Sequence, residues 1–290
     1  MSGGRPHACP AGRRRHDVDA GPPSGRAQGG RLRREDVPGA PSVGLTPCQQ
    51  PKSSPCPRGC WLGRDTDVRI EGPAVAWLQA AFVDNWLETT KEALGGEAYF
   101  PRPTESKGSV RAQVVRSSPS GGSFALYSTI LIALNSARRS IRITNPYFLL
   151  DDAMTEAILN RLQRGVSVEV LVPGTIDHKF VRQASRATWG PLLKAGVKMY
   201  EYRPALLHAK TIVIDGVWAT VGSTNLDNRS FAMNEEVNVI VYDRGVGARF
   251  EEIFAADRGH ARPITYEEWQ HRGLTARLFE LFVAPGRDLL

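Results

Sequence analysis

The chain has 290 residues, 41% of them hydrophobic, which is enough to bury one or two cores, and its formal net charge is +7. That charge is concentrated at one end: residues 1–60 carry ten Lys/Arg against four Asp/Glu, leaving 27 basic and 26 acidic residues in the other 230. The larger part therefore lacks the basic footprint of a protein that tracks a nucleic-acid backbone, which argues against nucleic acid as the partner.

Residues 1–60 also hold ten Gly, ten Pro and the run Arg13-Arg14-Arg15, with no amphipathic period, and the expectation is a disordered tail. A basic arm touching anionic lipid is the functional reading of it, and a tail without function the other. All four Cys (Cys9, Cys48, Cys56, Cys60) fall here. Cys56 and Cys60 with His7 and His16 lack a second close pair, so no metal site is expected. Nor does the N-terminus show the apolar core of a signal peptide. The longest apolar stretch, Phe124 to Leu134, is too short to span a bilayer and contains Ser128 and Thr129, so it reads as a buried helix.

From residue 65 the pattern becomes regular. A strand is expected over 65–71, then a helix from Pro73 to Leu94 with Val75, Leu78, Phe82 and Trp86 on one apolar face. A polar connection, 97–108, leads to alternating strands (112–116, 140–144, 167–172, 198–202) and helices (124–137, 152–164, 178–195). Gly165 and Gly196 stand where helices end. A strand over 237–242 and helices over 246–256 and 266–282 close the chain. Alternation of this kind predicts an α/β layered fold with a mixed, largely parallel sheet flanked by helices.

The stretch HAKTIVIDGVWATVGSTN, His208 to Asn225, stands apart, with the pattern H-x-K-x4-D-G-x5-G-S-x-N. TIVIDG followed by VWATVGS reads as a hairpin turning at Asp215-Gly216. Side chains alternate along a strand, so His208 and Lys210 share a face and can converge on one ligand, while Ala209 points away. A phosphate fits: Lys210 supplies charge, Ser223 a hydroxyl, Asn225 an amide donor, and Gly222 lets the backbone approach. Asp215, at an odd spacing from His208, takes a structural role within the motif.

This constellation resembles the HKD motif of the phospholipase D superfamily, and the text around it resembles the C-terminal half of bacterial cardiolipin synthases. The similar segments are RDTDVRIEGPAVAWLQ, ITNPYFLLDD, RGVSVEVLVPG, ASRATWGPLLKAGVKMYEY and GSTNLDNRSFAMNEEVNV. The resemblance implies a phosphatidyltransferase that joins two phosphatidylglycerols to cardiolipin plus glycerol through a phosphohistidine, without cofactor or metal, at a membrane surface. His208 matches the imidazole that acts as acid and base, with Lys210 and Asp215 completing the motif, and Glu236 matches the acid that holds the imidazole's other nitrogen; a strand-edge charge is its alternative reading. Asn145-Pro146-Tyr147-Phe148 matches a substrate-side loop, although Tyr147 and Phe148 also suit packing. Arg229 and Ser230 suit a lipid phosphate or, equally, a helix cap and a surface ion pair.

Two departures from the family pattern follow. Family members hold two HKD motifs and this sequence contains one H-x-K-x4-D. They also begin with membrane-spanning helices. The expected organisation is a tail (1–60) from a frameshift or wrong start, a remnant of a first half (61–108) and the HKD-bearing domain (109–290). The competing functions are a single-motif homodimeric phosphodiesterase or nuclease, and a catalytically dead remnant that binds lipid or protein. Localisation follows as peripheral to a membrane, or cytoplasmic when unbound.

Overall fold

The computed structural model describes residues 43–47, 63–101, 106, 108–119, 124–174 and 179–273, with 43–47 and 179–181 described by their backbone alone. The four Cys, His178 and everything after 273 lie outside these residues, and so does the disorder expected for 1–60, except at Val43–Pro47. That segment is a strand, β1, paired antiparallel with β3 (Thr66–Ile70).

An eight-stranded sheet organises the described residues. Its strands are β4 (Arg111–Ser117), β5 (Ser140–Thr144), β6 (Ser167–Pro173), β7 (Lys198–Tyr202), β9 (Thr211–Ile214), β10 (Trp218–Gly222), β11 (Glu236–Tyr242) and β12 (Ala261–Ile264), in the order β12-β7-β6-β5-β9-β10-β11-β4. The expectation of a mixed α/β sheet holds, but "largely parallel" does not. Only β5–β6 and β6–β7 are parallel, and the other five pairings are antiparallel. Helical crossovers connect β5, β6 and β7 and make them parallel, whereas the tight Asp215-Gly216 turn reverses β9 into β10, and β4 and β12 add as antiparallel edges.

Helices cover both faces. On one side α2 (Ala125–Ser136), α3 (Asp152–Gln163) and α4 (Lys179–Ala195) enclose a core that includes Leu126, Ile130, Ile141, Ile143, Met154, Ile158, Ile212 and Ile240. On the other, α6 (Arg244–Arg258) lays Val246 and Phe250 on Val213, Ala219, Val221, Val239 and Val241. Alternate residues of β9 enter opposite cores, as a strand buried on both faces requires. Asp151 and Asp243 cap α3 and α6 by accepting from Met154 N–H and Val246 N–H at 2.8 Å each. The α7 helix (Tyr266–Gln270) is the described part of the helix expected over 266–282.

The helix α1 (Ala74–Thr90) forms where expected but buries other residues. Ala74 and Ala81 are buried, whereas Val75, Phe82 and Trp86 of the predicted apolar face are exposed. The helix seats its small side chains close to the sheet and leaves the large ones outside. The sequence on either side of residue 108 is joined in one unit: β2 (Gly63–Arg64) pairs in parallel with β8 (Leu206–Leu207), and β3 and α1 contribute Val68, Ile70 and Leu78 to the α6-side core. Among the described residues, no helix is long and apolar enough to cross a membrane.

Candidate active site

The sheet register brings one end of several strands together. Thr144 at the end of β5 faces Thr211 at the start of β9, Gly222 at the end of β10 faces Asn238 of β11, and Glu236 at the start of β11 faces Ser117 at the end of β4. His208 and Lys210 immediately precede β9, so they arrive at this same end.

Their expected convergence is present. Lys210 Nζ lies 3.0 Å from His208 Nε2 and donates to the His208 carbonyl at 2.7 Å, while Ala209, pointing the other way, is buried. Lys210 is buried and the imidazole is half exposed. An ammonium has only donors, so a hydrogen bond at this distance requires a lone pair on Nε2. The proton then sits on Nδ1, which lies 3.3 Å from Asp65 Oδ2. The imidazole is thus held between a carboxylate and an ammonium, with its Nε2 lone pair in the tautomer that accepts a proton or attacks an electrophile.

Asp65 is the residue the sequence reading missed. Burial alone would raise its carboxyl, but the hydrogen bond from His208, that from Thr66 N–H and the charges of His208 and Lys210 outweigh it and hold it below the usual range. A buried ion pair positions it. Arg64 binds Asp257 of α6 through Nε and Nη2 at 2.9 and 2.8 Å, and the Arg64 carbonyl accepts from His208 N–H (2.8 Å) and Ala209 N–H (3.2 Å). Asp65 and His208 are therefore locked to one backbone junction although 143 residues apart. The only sequence signal was the position of Asp65 inside the segment RDTDVRIEG.

Glu236 is not the partner of this imidazole. Its buried carboxylate accepts from the Ser223 hydroxyl and, at 3.2 Å, from Asn234 Nδ2. The cause is the register: Glu236 starts β11 beside the end of β10, where Ser223 lies nearest. The Ser223 oxygen also accepts from Val237 N–H at 3.0 Å. Gly222 likewise has a reason different from the one expected. A Cβ there would overlap the Val237 carbonyl and the Asn238 amide oxygen, so glycine admits the neighbouring strand rather than a ligand.

The G-S-x-N loop is fixed from two sides. Asn238 Oδ1 accepts from Thr224 Oγ1 (2.8 Å), and Asn145 Oδ1 accepts from Leu226 N–H (3.2 Å) and Tyr147 N–H (3.1 Å). Phe148 is buried and bridges to Leu226, so Asn145 and Phe148 of the expected substrate loop build the site from behind. Asn225 Oδ1 is buried without a hydrogen-bond partner, a polar atom left for a group that the protein does not itself supply. Asp227 caps the short helix α5 (Asn228–Ala232) through Ser230 N–H at 2.7 Å, and Arg229 is exposed on it. Burial, with the charge of Glu236, pushes the Asp227 carboxyl up to about 6 against the Ser230 hydrogen bonds and Arg229.

Asp215 holds the far end of the hairpin. At φ 55° it occupies the left-handed turn position, and its carboxylate accepts from Arg138, Arg139 and Ser140 N–H at 2.9, 2.7 and 2.9 Å. Burial opposes its ionisation, but these donors outweigh burial and lower it. The structural role given to Asp215 matches this placement. Among the described residues, no three His, Cys, Asp or Glu side chains converge as metal ligands.

Residues 130–258 match the family model described as "Cardiolipin synthase, PLD-like domain". The chain carries a phospholipase D-like domain of the cardiolipin synthase family. It is 38% identical over 224 residues to cardiolipin synthase 2 of Staphylococcus epidermidis, covering 77% of this chain and 45% of that one. It is 35% identical over 225 residues to the major cardiolipin synthase ClsA of Bacillus subtilis, covering 77% and 46%. The chain thus spans about half the length of the curated relatives it matches. A phosphatidylserine synthase of Haemophilus influenzae shares the fold, with a TM-score of 0.50 at 16% identity, over 65% of this chain and 48% of that one. In this phospholipase D-like domain, the HKD residues are His208, Lys210 and Asp215, and the Asp65 contact completes the surroundings of the imidazole.

Proposed function

We propose that this domain catalyses phosphatidyl transfer between two phosphatidylglycerol molecules, giving cardiolipin and glycerol, with His208 as its proton-transfer group. The observation that carries the reading is the imidazole held between Asp65 and Lys210 with its Nε2 lone pair directed at an ammonium suited to a phosphate. One imidazole attacks the donor phosphorus; a nitrogen–phosphorus bond forms, the bond to the glycerol headgroup breaks, and the departing oxygen takes a proton from the second imidazole. The hydroxyl of the acceptor lipid then gives its proton back to that second imidazole as it displaces the first from phosphorus.

The sequence contains one H-x-K-x4-D motif, so the attacking imidazole comes from a second copy of the chain, with two His208 and two Lys210 side chains around one phosphate. Lys210 carries phosphate charge, and the amide of Asn225 and the guanidinium of Arg229 serve the headgroup oxygens. Ser223 acts through Glu236. The test is incubation of the full chain with phosphatidylglycerol vesicles and mass-spectrometric detection of cardiolipin and glycerol. Formation of both by the wild type and neither by His208→Asn is the expected result. No conversion at any protein concentration overturns the reading.

A further inference from the structure

The largest groove lies beside the site rather than over His208. It encloses about 740 Å³ between α1 and the edge strand β4, and its walls include Trp77, Ala81, Phe82, Val115 and Glu236. Such a volume is that of small-molecule sites, which run to roughly 300–1,000 Å³ and are mostly apolar. Trp77 and Phe82 are 68% and 53% exposed, a costly arrangement on a helix unless something apolar meets them. The carboxylates on the walls already have partners: Glu236 takes Ser223 and Asn234, Glu235 takes Ser118 at 2.6 Å, and Asp84 pairs with Arg116. They present little free charge to a ligand, so the groove selects an uncharged, apolar occupant.

Its position names that occupant. Glu236 lines the groove and at the same time holds Ser223 of the HKD segment, so one end of the groove opens where the phosphate-binding residues begin. From there it follows β4 back to Gln113, roughly 17 Å at the rise of a strand. A molecule with a phosphate at one end and a long apolar chain at the other fits both parts. We infer that the α1–β4 groove takes an acyl chain of the phospholipid whose phosphate meets Lys210. This rests on the lipid-transfer reading above but names a separate site, and the test separates the two.

The experiment measures tryptophan emission of the full chain with phosphatidylglycerol micelles brominated in the acyl chains, for the wild type, Trp77→Phe and Phe82→Asp. The expected result is bromine quenching in the wild type that is mostly lost in Trp77→Phe, and affinity for the micelles weakened about tenfold or more in Phe82→Asp, at unchanged melting temperature. In turnover, Phe82→Asp raises the KM for long-chain phosphatidylglycerol and leaves hydrolysis of the soluble diester bis(p-nitrophenyl) phosphate unchanged. Equal quenching in the wild type and Trp77→Phe overturns the inference. So does a Trp77 emission shift that follows protein concentration rather than lipid, because a second copy then fills the groove. A wild type that binds lipid through Trp77 but turns over neither substrate removes the transferase reading and leaves the groove standing.

Discussion

Lys210 Nζ and His208 Nε2 lie 3.0 Å apart, two residues of one strand-like segment whose side chains meet on a single face. The contact makes a direct prediction. His208→Asn removes the titrating group from a half-exposed position, so turnover falls to background while the melting temperature stays near that of the wild type. Lys210→Ala weakens binding of inorganic phosphate by about 1–3 kcal/mol, the worth of a charge-assisted hydrogen bond, and calorimetry reads it. Unchanged affinity removes Lys210 from the phosphate site.

Asp65 acts through the imidazole. Asp65→Asn is expected to lower kcat by tenfold or more with little change in KM, less than the ~10⁴ of a fully buried triad carboxylate because both partners here are half exposed. Asp65→Glu should restore part of the loss. Loss of KM alone, or equal kcat in Asp65→Asn and the wild type, would show that the Asp65 contact has no part in turnover.

These residues show where the sequence was informative. The strands at 140–144 and 198–202 were legible to the residue, because β-branched and aromatic runs ending at Gly or Asn leave little choice locally. The hairpin and the shared face of His208 and Lys210 followed from a period of two. Asp65 did not, since its contact with His208 spans 143 residues and depends on Arg64 reaching α6. Glu236 was misplaced for a related reason: motif spacing along a chain does not say which neighbour a strand's register will offer, and here it offers Ser223. The stripe on α1 was read correctly as apolar, but which apolar residues meet the sheet was decided by tertiary packing of Ala74 and Ala81.

The Arg64–Asp257 pair is buried, at 10% and 11% side-chain exposure, so breaking it strands a charge. Arg64→Met alone is expected to cost about 3–5 kcal/mol of stability, whereas Arg64→Met with Asp257→Leu should recover most of it. Denaturant unfolding measures both. Activity should remain low in the double variant even where stability returns, because the Arg64 side chain orients the backbone that holds His208.

Asp227 offers a pH test. Its carboxyl is raised from 3.8 to about 6, so between those values the folded state binds more protons than the unfolded one and stability falls as pH rises. The penalty is complete above about 6 and absent below about 4. Asn caps a helix as well as Asp does and carries no such charge. Asp227→Asn should therefore be more stable than the wild type at pH 7, by on the order of 1–3 kcal/mol, with the difference closing as pH drops below 4. A wild type that is more stable than Asp227→Asn at pH 7 contradicts the assignment.

The last prediction concerns assembly. The proposed chemistry needs two imidazoles, one to bond to phosphorus and one to move the proton, and the sequence contains one H-x-K-x4-D motif. His208 is half exposed at the end of the sheet, accessible to a partner imidazole approaching over the same phosphate. A two-fold axis through that phosphate would place two His208 and two Lys210 side chains around it, and the two like charges would repel until the anion arrives. Phosphate should therefore promote dimer formation, and specific activity should rise with protein concentration until the dimer saturates. Light scattering coupled to size exclusion, with and without inorganic phosphate, reads the first; turnover of phosphatidylglycerol across a dilution series reads the second. Mixing in excess His208→Asn chain should suppress wild-type activity, because mixed dimers keep only one imidazole. A monomer with full activity at every dilution, indifferent to the mutant chain, would show that a single His208 suffices and that the second imidazole is not required.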